Sequence, residues 1–175
     1  MGTVVLNQNS KCNKMHTTRS MASEFLNPVT NQIASFLSGI GLPVCAGEIP
    51  DRTFLPGIHV ASGRVIIDEA RLTYPGDLLH EAGHLAVTPA ARRHSLEGDA
   101  GESGGEEMAA IAWSYAAAVH LGLPPDVVFH AAGYRGGSRT IIENFSAGRY
   151  IGVPFLKWIG LTGDAYPEMI RWLRE

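Results

Sequence analysis

Cysteine is nearly missing from this 175-residue chain: Cys12 and Cys45 are the only two, far apart and without a CxxC spacing. That excludes a thiolate zinc site and gives no sign of a disulfide framework. Charge is also scarce, at 18% of residues with a formal net charge of −3. Such a balance offers no footprint for a phosphate backbone, and Arg92-Arg93 is too short to make one, so no nucleic-acid partner is expected. No apolar run is long enough to span a bilayer, and the first twenty residues are polar, without the apolar stretch of a secretory signal. The expectation is a cytoplasmic protein with no membrane partner. Internal repeats are lacking too. What remains is 45% apolar residues, a folded composition on a length suited to one domain with a real core.

Residues 1–20 are rich in Asn, Ser, Lys and Thr without a period and read as a flexible arm, with Met15 and Met21 as other possible starts. Residues 21–175 read as a single domain. Phe25, Leu26, Val29, Ile33, Phe36 and Leu37 recur at helical spacing, with Ser23 as the cap, Pro28 in the first turn and Gly39-Ile40-Gly41 as the stop. Residues 43–73 read as strands and turns, with strands expected at 57–61 and, more strongly, at 64–68. Residues 90–105 read as a polar, glycine-rich, solvated loop, since its acidic groups lack the spacing of a calcium loop. Residues 106–121 form an alanine-rich helix. A short helix capped by Asp126 runs to Ala132, Ser138 caps one reaching Ala147, and residues 154–159 and 167–173 read as short terminal helices. The apolar stretch from Ile151 to Leu161 either packs in a dimer or closes the core. Trp113, Trp158 and Trp172 are expected in the core, and His94 and His120 at the surface.

The chemistry concentrates in His80-Glu81-Ala82-Gly83-His84, an HExxH sequence. Apolar residues at 78, 79, 82, 85 and 86 place it on a helix over 76–87, with Thr88-Pro89 as the stop. Residues four apart lie one turn apart on one face, so His80 and His84 can present two imidazole nitrogens to one ion. Zinc suits neutral imidazole in a roughly tetrahedral shell. Glu81 is offset by about 100° from His80, near a metal but angled away from ligating it, where a general base belongs. Two histidines and a glutamate on a buried face are costly unless something satisfies them, and a metal does so.

A catalytic zinc site needs a third protein ligand and an open position. Glu106 and Glu107, past the loop at the start of the alanine-rich helix, both fit by position. Here the chain resembles the gluzincin class of zinc metallopeptidases, which carry HExxH on one helix and a glutamate ligand on a later one. Their second motif often has a small residue three positions after the ligand and an aromatic six after it. Glu107, Ala110 and Trp113 match, which favours Glu107, with Glu106 as the alternative. An acidic residue is also favoured in any first turn, which accounts for the other. The resemblance spans residues 64–115 at most. It lacks an Asn-Glu-x-x-Ser-Asp string, and Ile111 stands where some relatives carry an Asp or Asn that supports a histidine.

The resemblance implies an α+β fold with a zincin-like core: short strands, an HExxH active-site helix and a mostly helical C-terminal half. It implies a Zn2+ cofactor and hydrolysis of peptide bonds in a peptide or protein substrate, with Glu81 as general base. Amide hydrolysis also needs a donor for the developing oxyanion. Tyr115, His120, His130, Tyr134, Arg135 and Tyr150 are candidates. His130 and Tyr134 stand out because the stretch from His130 to Arg135 joins donors to a glycine-rich loop. The small size of the chain motivates the alternative, a non-catalytic zincin-fold metal-binding protein acting through a protein partner. A purely helical structural domain with an accidental HExxH is a third reading. Oligomeric state is not readable from the sequence.

Overall fold

The computed structural model of the chain describes residues 25–98 and 104–175; the N-terminal arm expected at 1–20, Ser23 and Cys12 lie outside the described residues. Helix α1 (Pro28–Gly39) opens the described chain. Its cap is Asn27, whose side chain accepts from the N–H groups of Val29 and Thr30, and Pro28 takes the first helical position, where its missing N–H costs nothing. Glu69 fixes the approach by accepting from the N–H groups of Leu26 and Asn27. Three strands follow: β1 (Val44–Ala46), β2 (Ile58–Ala61) and β3 (Arg64–Ile67). β3 lies centrally, parallel to β1 and antiparallel to β2. β2 and β3 are joined by Ser62-Gly63, both at positive φ, the two-residue turn whose twist suits a hairpin. Cys45, in β1, is not a free thiol.

The next helix, α2 (Asp77–Val87), carries the HExxH sequence, and all 11 of its residues are buried. Helix α4 (Gly104–His120) makes its main packing partner, while α1 and β3 cover other sides. Between them lies α3 (Ala90–Arg93), then a β-bridge from Glu97 back to Ala61. Helices α5 (Ser138–Ser146) and α6 (Val153–Trp158) complete the C-terminal half, and α6 packs on α4. The result is a mixed α+β architecture whose core is built around α2. The C-terminal tail seals the end of that helix: Arg93 donates to the carbonyls of Leu85, Thr88 and Arg174, and the Arg174 N–H donates to Ala86. The Leu85 and Ala86 carbonyls are among those a helix end leaves without partners. No helix among the described residues is long and apolar enough to cross a membrane.

Several local expectations change. Residues 90–93 turn as a helix rather than a loop, anchored by the Arg93 contacts. Asp126 makes no cap; Pro125–Val127 is a single 3₁₀ turn. Ser138 does not cap α5 either, because its hydroxyl donates to the carbonyl of His130. Residues 167–173 are not helical: the Ile170 and Arg171 N–H groups donate to Leu161 and the Thr162 hydroxyl to Glu168, drawing this stretch back across residues 161–162. Trp113 is fully buried and Trp172 partly so, but Trp158 is 74% exposed. Val153, Leu156 and Leu161 close the core from the stretch at 151–161.

Candidate metal centre

α2 and α4 approach closely because the facing residues are small. A Cβ added to Gly83 meets the Ala110 carbonyl oxygen at 2.9 Å, tighter than ordinary contact. Gly83 thus has a structural role inside the HExxH sequence, and Ala110 faces it across the crossing. Ser114 ties the helices together, donating to the carbonyls of Leu79 and Ala110. One turn before Ala110 on α4 is Glu107, brought by this crossing over the face of α2 that carries His80 and His84. Trp113, one turn after Ala110, is wholly buried and anchors α4 by donating its indole N–H to the Trp172 carbonyl.

His80, His84 and Glu107 converge. The two Nε2 atoms are 3.2 Å apart. His84 Nε2 lies 3.1 Å from Glu107 Oε2, and His80 Nε2 lies 3.7 Å from Glu107 Oε1. Donors held at about 2.0–2.1 Å in a tetrahedron stand about 3.3–3.4 Å from one another. The separation of the two histidine nitrogens, and of each from its nearer Glu107 oxygen, is close to that value, and one donor atom from each residue can be chosen with all three within 4.8 Å of one another, so these residues form a group that can hold a metal ion. Two imidazoles and a carboxylate, two of the three side chains buried, suit a borderline cation. Glu107 joins the group and Glu106 does not, although the two are neighbours on α4. The hydrogen bond with His84 is the main cause holding the Glu107 carboxyl below its usual range, helped by the charges of His80 and His84 and opposed by burial.

Glu81 is buried and lines a cavity of about 120 Å³ with Ile58, Val60, Leu55 and Gly98. His80, His84, Glu107 and Tyr134 do not line this cavity. Tyr134 stands against His80, the two rings nearly perpendicular at 5.4 Å between centroids. Its hydroxyl is buried and has no hydrogen-bond partner among the described residues. Burial, reinforced by the negative charges of Asp77, Glu107 and Glu81, pushes the Tyr134 phenol far up, so it remains a proton-bearing donor. His130 is placed differently. Its Nε2 lies 3.0 Å from Asp77 Oδ1, and its ring stacks on Tyr74 at 3.7 Å. Tyr115 and Tyr150 belong to an aromatic cluster with Phe145 and Tyr166, and His120 packs at a tilt against Phe36 and Trp172 at the surface. Arg135 is exposed beside Tyr134.

Tyr74 has no part in the sequence expectations, and Asp77 enters them only in Pro75-Gly76-Asp77, the expected start of the HExxH helix. The signal for Asp77 is thin: an acidic residue in a first turn reads as a favourable charge on the helix dipole. Nothing local marks that residue 130 reaches it. No protein-family model matches the chain, and no curated protein or solved structure matches it either.

Proposed function

We propose that the chain is a zinc-dependent metallopeptidase with a zincin-like core. The observation that supports this most is the convergence of His80, His84 and Glu107, whose donor atoms lie within 4.8 Å of one another. His80, His84 and Glu107 would hold the ion. When bound, zinc supplies a Lewis acid for the scissile carbonyl and lowers the pKa of a water. Glu81, beside its cavity, takes the proton from the attacking water and delivers it to the leaving nitrogen. The water oxygen first bonds to the carbonyl carbon, placing negative charge on the carbonyl oxygen; the carbon–nitrogen bond then breaks as the nitrogen takes the proton. Tyr134, proton-bearing and with its hydroxyl otherwise unsatisfied, donates to the oxyanion.

The test is hydrolysis of an unstructured peptide library, read by mass spectrometry, for wild type and Glu81→Gln loaded with zinc. The expected outcome is cleavage by wild type and none by the variant, at equal zinc content. Equal cleavage by both rejects the assignment of Glu81. A second reading, a non-catalytic metal-holding protein acting through a protein partner, draws on the exposed Trp158 and Phe54, at 74% and 69% exposure. That reading predicts that Glu81→Gln changes nothing while His80→Ala abolishes partner binding.

A further inference from the structure

Tyr134 and Arg135 are consecutive residues at φ of +51°, a left-handed pair that L side chains rarely adopt. Strain of this kind persists only where the surroundings over-determine it. The segment from 130 to 138 closes on itself. Gly133 and Ser138 both donate to the His130 carbonyl, at 3.0 and 2.7 Å, and Gly137 donates to the Tyr134 carbonyl at 2.9 Å. Those bonds shape the loop but do not say where it sits.

His130 ties it down. Its ring is held on one face by Tyr74, nearly parallel at 10°, and its Nε2 meets Asp77 Oδ1 at 3.0 Å. Gly133 passes against the same ring, where an added Cβ would lie 3.2 Å from it. Asp77 belongs to the first turn of α2, three residues before His80. The approach is close elsewhere too: a Cβ on Gly76 would overlap the Val127 carbonyl at 1.9 Å, so glycine there lets the preceding 3₁₀ turn press onto the start of α2. The side chains of His130 and Asp77 are 12% and 7% exposed. A buried polar pair seldom adds stability over a well-packed apolar replacement, so its role is better sought in specificity of position.

We propose that Asp77 and His130 form a positioning pair that locks the strained Tyr134 loop to the metal-bearing helix, holding the phenol over His80. The role of Tyr134 rests on the hydrolytic reading above; its placement by this pair does not. Neither residue is a catalytic group: His130 acts through the loop it anchors.

The experiment uses the full chain. Nitration of Tyr134 by tetranitromethane is followed by peptide mapping for wild type, His130→Phe, Asp77→Ala and Asp77→Asn, alongside zinc content and, where cleavage is found, kcat and KM. His130→Phe keeps the ring on Tyr74 and removes only the polar contact; Asp77→Ala removes it from the other side. Asp77→Asn keeps an acceptor oxygen. The expected result is protection of Tyr134 in wild type and Asp77→Asn and at least about tenfold faster nitration in the other two, with zinc retained. In the same two variants kcat falls about 10- to 100-fold, as misplacement of a catalytic group by about an ångström does, with KM unchanged. Unchanged nitration in both His130→Phe and Asp77→Ala overturns the proposal, as does Asp77→Asn behaving like Asp77→Ala. Absence of cleavage by wild type rejects the hydrolytic reading and leaves the nitration result to decide the positioning.

Discussion

Gly83→Ala separates the stability of the fold from the integrity of the metal group. In an exposed helix this change stabilises by about 1 kcal/mol. Here the new Cβ would sit 2.9 Å from the Ala110 carbonyl oxygen, 3.2 Å from its Cα and 3.3 Å from its carbonyl carbon, where ordinary contact begins at 3.4 Å. These are backbone atoms, so the helices must separate by about half an ångström, at an overpacking cost of about 1–3 kcal/mol. Set against the propensity gain, the net loss is about 0–2 kcal/mol, a fall in Tm of no more than about 8 °C for a domain this size. The metal group is less tolerant, because ligand distances must hold within about 0.2 Å. Glu107 sits one turn from the contact, so separation of α4 from α2 draws it off the histidines. Zinc affinity should fall about 10- to 100-fold, in line with the loss of a supporting contact. The assay is competitive zinc titration against a chromophoric chelator, paired with thermal unfolding of the metal-free protein. A variant that binds zinc as wild type does and unfolds at a higher temperature would refute the argument that this crossing sets the site.

Three further outcomes follow from the same geometry. Glu107→Gln should weaken zinc binding at least about tenfold and Glu106→Gln should leave it unchanged, read by the same titration. Tyr134→Phe removes a buried hydroxyl with no partner among the described residues, so stability should hold or rise slightly while kcat falls about 10²- to 10³-fold. Burial holds the Asp77 carboxyl above its ordinary range, with the His130 hydrogen bond opposing it. The folded state therefore binds this proton more tightly than the unfolded state. That contribution is fully present below the unfolded value of about 3.9 and is lost as pH rises through the raised folded value. Asp77→Asn should remove this component of the slope, measured as urea midpoints of metal-free protein from about pH 4 upward; identical slopes would count against it.

The helices at the centre were legible because their signals are local. The apolar spacing around His80 and His84 and the alanines from 109 to 118 carry the helical period within one segment. The spacing of Glu107 and Ala110 also has a physical meaning: the Ala110 backbone packs against Gly83, and Glu107, one turn earlier, lies at the histidines. The hairpin at Ser62-Gly63 was half legible, its strands marked by β-branched residues and its turn unnoticed. The stretch at 167–173 misled because Met169, Ile170, Trp172 and Leu173 mimic a helical face, while its backbone is held by residues 161 and 162 instead. Ser138 has the chemistry of a cap, yet its hydroxyl serves the loop before it. The Asp77–His130 contact was out of reach, since it joins residues far apart through a fold no local pattern announces. Trp158 was assigned to the core by its type, but its place on the outer side of α6 leaves it in solvent.

The central claim is that His80, His84 and Glu107 together hold one zinc ion. Its most direct test is elemental analysis of protein expressed with zinc, for wild type, His84→Ala, Glu107→Ala and Glu106→Ala. The account predicts about one zinc per chain in wild type and Glu106→Ala and loss of the metal in His84→Ala and Glu107→Ala. Wild type without zinc, or Glu107→Ala that keeps it while Glu106→Ala does not, would contradict it.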